Sequence, residues 1–156
     1  MALMNHAIES LSGRRLAMSR WIRRATVVLA ATAITGYVMP SHAVWAEDAH
    51  SYLADLGWMP LIAYVVAAIV AVWAAISDAR GRGYLVGATA IAAVGATIVA
   101  VADRVPHMFQ TTTSRPGDVV AAVGFIGLAF AGLVSIVSEI VLYRLERRAT
   151  PVGLAA

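Results

Sequence analysis

Three long stretches of the chain, Gly57–Ser77, Gly83–Ala102 and Val119–Ser138, contain no charged side chain at all. An α-helix needs about 20 apolar residues to cross a hydrocarbon layer about 30 Å thick, and each stretch meets that length. A helix apolar on every face has no place on the surface of a small soluble domain, because it lacks a side to turn to water. The composition agrees: of 156 residues, 60% are hydrophobic and 13% are charged, against about 25% charged in an ordinary soluble domain. The sequence therefore predicts an all-α, polytopic membrane helix bundle.

A fourth apolar run, Ala25–Met39, leaves two readings open. Its length falls within the hydrophobic region of a signal peptide, about 7–15 residues. It follows the basic group Arg20, Arg23 and Arg24, and small-residue endings at Ala43 and Ala46 suit a signal peptidase. Yet the charge-free stretch continues to Ala46, which is long enough to span. The expectation is four transmembrane helices, or three if the first is cleaved.

Arginine placement predicts the orientation. All the basic residues are arginine. With the N-terminus inside, Arg14, Arg15, Arg20, Arg23, Arg24, Arg80, Arg82, Arg144, Arg147 and Arg148 are cytoplasmic, and only Arg104 and Arg115 lie outside. Short loops rich in arginine stay on the cytoplasmic side, so N-in/C-in follows, in a membrane of the bacterial inner-membrane type. The expected organisation is a basic cytoplasmic arm (1–21), the first span or signal peptide (22–46), and an outer interfacial segment (47–57). Spans at 58–77 and 84–102 flank a cytoplasmic hairpin (78–83). An outer loop (103–118), a last span (119–143) and a cytoplasmic tail (144–156) complete the chain.

Small residues suggest how the helices associate. Lipid provides no hydrophobic drive between helices, so close backbone approach through small side chains must supply the contact. The i,i+4 stripes Ala63, Ala67, Ala71, Ala75 and Ala88, Ala92, Ala96, Ala100 are candidate packing faces, with Gly127 and Ala131 on the last span. Asp118 is placed to cap that span. Ala49, Tyr52, Leu53 and Leu56 share one face of a short interfacial helix over Glu47–Trp58.

Few residues suggest chemistry. His50, His107 and Met108 fall on the outer side, and imidazoles with a thioether suit copper; no ligand spacing such as H-x-x-H is present, and solvated or capping loop residues are the simpler reading. Glu139 is the acid that interrupts a span, a candidate for proton or ion handling, although Arg144 is near enough in sequence for a local pair. The chain has no cysteine, which excludes disulfides and thiolate ligands. No nucleophilic triad, phosphate loop or dinucleotide fingerprint is present. The basic residues lie at span ends and not on a solvated face, which speaks against nucleic acid.

The sequence thus predicts a protein that is not an enzyme and carries no resident cofactor. It reads as an accessory or stabilising subunit whose partners are other membrane subunits and lipids. A copper-handling or assembly factor using His50, His107 and Met108 is one alternative, and an oligomeric transporter or channel using Glu139 is another.

Overall fold

The computed structural model describes residues 2–42, 49–77, 81–102 and 116–149. Helix α1 runs Ala2–Val38, α2 Tyr52–Leu56, α3 Trp58–Ile76, α4 Arg82–Ala102 and α5 Pro116–Ala149. Between α1 and α2, the short strands β1 (Pro40–His42) and β2 (Ala49–Ser51) pair antiparallel, with Ser41 opposite His50. Otherwise the described residues form helices and their connections.

Among the described residues, three helices are long and apolar enough to cross a membrane: α3, α4 and the Pro116–Arg144 part of α5. The 21 residues of α4 span about 30 Å. Several hydroxyls within these helices turn back on their own backbone. Thr89 bonds to Leu85 O at 2.9 Å and Thr97 to Ala93 O at 3.1 Å, which satisfies the hydroxyl where no water is present.

Local chemistry sets the boundaries. Helix α1 stops at Val38 because Pro40 pushes the preceding residue out of helical geometry. The interfacial helix is shorter than the sequence suggests. Ala49 and His50 belong to the ribbon, and Ser51 caps α2 by accepting from the Ala54 N–H at 3.3 Å. Gly57, at φ +79°, then breaks α2 from α3 in a conformation that favours glycine. Pro60 lies in the first turn of α3, where its missing N–H costs no helical bond. Pro116 opens α5, so Asp118 sits inside the first turn and not at the cap.

Helices α1, α3, α4 and α5 form a ring in that order, each packed against its two neighbours in sequence and α5 closing on α1. Every neighbour is antiparallel. Arg23 meets Ala74 while Tyr37 meets Gly57, and on the other side Ala33 meets Gly124 while Gly36 meets Ala121. Between α4 and α5 the contacts run from Gly83–Glu139 to Gly87–Ile136 and Ala90–Gly132. The centre is filled by Ala30, Ala33, Ala67, Ala90, Ala93 and Leu128, with Tyr37 and Tyr64 toward one end.

The buried positions follow alternating three- and four-residue steps, the spacing that keeps a seam facing its neighbour. On α3 they are Pro60, Tyr64, Ala67, Ala71 and Ala74. On α4 Gly83, Val86, Ala90 and Ala93 keep that spacing, and Gly87 is buried beside Val86. The constant i,i+4 stripes drift off that seam, because each step overshoots a helical turn by about 40°. Ala67 and Ala71 are buried and Ala63 and Ala75 half-buried, whereas Ala88 and Ala92 are exposed and Ala96 and Ala100 half-buried. Gly127 lies against Leu29, and Ala131 is buried. The outward faces carry large apolar groups, among them Ile62, Ile69, Ile76, Ile126 and Phe130.

Candidate functional site: a polar clasp at one end of the bundle

Arg23 continues the buried seam of α1. Positions 23, 26, 30, 33 and 37 follow the alternating spacing, and all five are buried. The guanidinium is thereby carried between helices, while Arg20 and Arg24 stay exposed. Its Nη1 donates to the carbonyls of Ala74 at 2.8 Å and Ser77 at 3.3 Å. These carbonyls terminate α3 and lack partners within that helix. A cation is favoured there by the negative end of the helix dipole.

Glu139 is the counter-ion. It lies one turn beyond Ser135 on the seam of α5, with Oε1 3.7 Å from Arg23 Nη2. The same oxygen accepts from the Gly83 N–H at 3.2 Å, at the start of α4, where an anion faces the positive end of a dipole. Glycine is needed at this approach, since a Cβ on Gly83 would coincide with the Glu139 side chain. One acid and one base thus tie together all four ring helices. Next to them, Arg82 stacks its guanidinium 4.0 Å from the ring centroid of Trp73, a cation–π contact between α3 and α4.

The opposite end is held by tyrosines. Tyr37 donates to Gly57 O at 2.9 Å, and Tyr64 and Thr97 share a 2.5 Å hydrogen bond. Tyr52 donates to Asp118 Oδ1 at 2.8 Å, which joins α2 to the first turn of α5. Burial first, then the Asp118 carboxylate, pushes the Tyr52 hydroxyl well above the ordinary phenol value and keeps it a neutral donor. The Tyr37 ring stacks on Tyr52 and meets Tyr64 edge-on, with centroids 6.2 and 6.1 Å away.

Of the residues singled out in the sequence, Glu139 is brought into this clasp. His50 sits in β2 with its backbone paired to Ser41. His107 and Met108, the other two candidate copper ligands, lie outside the described residues. Among the described residues no group of three or more His, Asp and Glu side chains could hold a metal ion. The sequence reading missed Arg23, which it grouped with Arg20 and Arg24. The signal was its place on the seam with Thr26, Ala30, Ala33 and Tyr37.

A paired guanidinium and carboxylate, each already bonded to backbone, can orient helices. Comparison with protein-family models, with curated proteins and with solved structures finds no match for the chain.

Proposed function

We propose that this chain is a four-span inner-membrane protein with both termini in the cytoplasm, serving as a non-catalytic stabilising subunit of a larger membrane complex. The closed centre of the bundle carries this reading. Alanine and glycine bring the helices too close for a lumen, and the intramembrane acid Glu139 is held by Arg23 and Gly83. Large apolar groups face outward instead, on every spanning helix. Those faces suit lipid and the spans of other subunits.

The antiparallel ring supports the orientation. It gathers Arg23, Arg82 and Arg144 at one end, where the positive-inside rule expects the cytoplasm. It also supports α1 as a retained span, because α1 supplies Ala30, Ala33 and Tyr37 to the shared core.

Extraction in mild detergent tests the proposal. The chain should elute in an assembly well above its 16.4 kDa, with a fixed set of subunits, and deleting its gene should lower the level of those subunits. Elution as a free monomer, with partner levels unchanged on deletion, would overturn it. The transporter alternative makes the contrary prediction that Glu139→Gln abolishes a substrate flux.

A further inference from the structure

We infer that the clasp contains a binding site for a single water molecule, lying between α1 and α5. A cavity of about 10 Å³ adjoins the ion pair, lined by Ser19, Ile22, Arg23, Gly83, Ser135, Ser138 and Glu139, which is room for one water. Two side chains on its wall have polar atoms without a hydrogen-bond partner, Arg23 Nε and Ser135 Oγ. Both residues are more than nine-tenths buried, at 8% and 3% exposure. Unlike Thr26, Thr89 and Thr97, whose hydroxyls return to their own helix backbone, Ser135 leaves its hydroxyl for the cavity.

The chemistry of the wall selects the occupant. A cation meets the fixed guanidinium, a monatomic anion meets the carboxylate, and an apolar group leaves both open polar atoms unsatisfied. Water both accepts and donates and fits a cavity of this size. It accepts from Arg23 Nε–H, donates to Glu139 and pairs with the Ser135 hydroxyl in either sense. The site is independent of whether the chain serves as a complex subunit.

The sign of one stability change tests this. With a bound water, Ser135→Ala removes a partner, and Tm in detergent falls by about 2–4 °C, the shift of one net hydrogen bond in a chain of this size. Without water, the same change deletes a buried hydroxyl that has no partner, and Tm stays level or rises. Hydroxyl-radical labelling in lipid nanodiscs, with water as the probe, gives a second readout. Ile22 should be oxidised in the wild-type protein, and that labelling should be lost in Ser135→Val, which fills the cavity. A level or raised Tm for Ser135→Ala overturns the site, as does labelling of Ile22 that persists in Ser135→Val.

Discussion

Arg23 and Glu139 work as a unit, so neither is expected to tolerate loss of the other. Glu139→Gln keeps an acceptor near Gly83 but strands the guanidinium among helices, 3.7 Å from a side chain that no longer carries charge. Removing one member of a buried pair costs about 3 kcal/mol or more, because a charge is left uncompensated. Replacing both by apolar groups of similar size is often neutral. Thermal denaturation in detergent should therefore show a marked fall in Tm for Glu139→Gln and recovery toward wild type in Arg23→Met combined with Glu139→Met. A single variant as stable as wild type would show that water or headgroups already solvate the pair. Sequence reading found the acid because a charge inside an apolar run stands out. It passed over the base, since arginines at the end of a span look alike until the neighbouring helix shows which of them points inward.

At the scale of the element, the contact between α1 and α5 depends on glycine. A Cβ on Gly124 would fall on the backbone of Ala33, and one on Gly36 on the backbone of Ala121. Backbone has nowhere to retreat, so Gly124→Ala should destabilise by about 1–3 kcal/mol through overpacking. Gly95, with nothing within 4 Å of its added Cβ, is the internal control. There the change to alanine should be neutral or stabilise by about 0.5–1 kcal/mol, because glycine is the weaker helix former. Melting curves should show a lowered Tm for Gly124→Ala and an unchanged or raised one for Gly95→Ala, and equal effects would refute the packing. The existence of α3, α4 and α5 was legible in the sequence, since span length and absence of charge depend on one segment at a time. Which alanines face inward was less so. Ala88 and Ala92 lie outward although their spacing looked regular, because a face is defined by the neighbour it meets and alanine fills both sides of α4.

For the whole molecule, the first helix decides whether the ring closes. Without α1, the Gly124 groove and Glu139 would face lipid directly, the latter without its counter-ion. The mass of the purified protein should therefore include the residues of α1. A chain beginning after Ala43 or Ala46 would contradict the four-helix ring. This point could not be reached from the sequence, because a signal peptide and a short span share basic flank, apolar run and small-residue exit. They differ in whether the rest of the protein needs the helix.

The strict alternation of direction around the ring has an electrical consequence. Each helix carries about half an elementary charge of opposite sign at its two ends, and here every such dipole lies beside an opposed one. Over the length they share, the four cancel in pairs, and the two charges of the Arg23–Glu139 pair sit at a single level. A change in transmembrane voltage therefore finds almost nothing to pull on, and the packing of this protein should be indifferent to whether the membrane is energised.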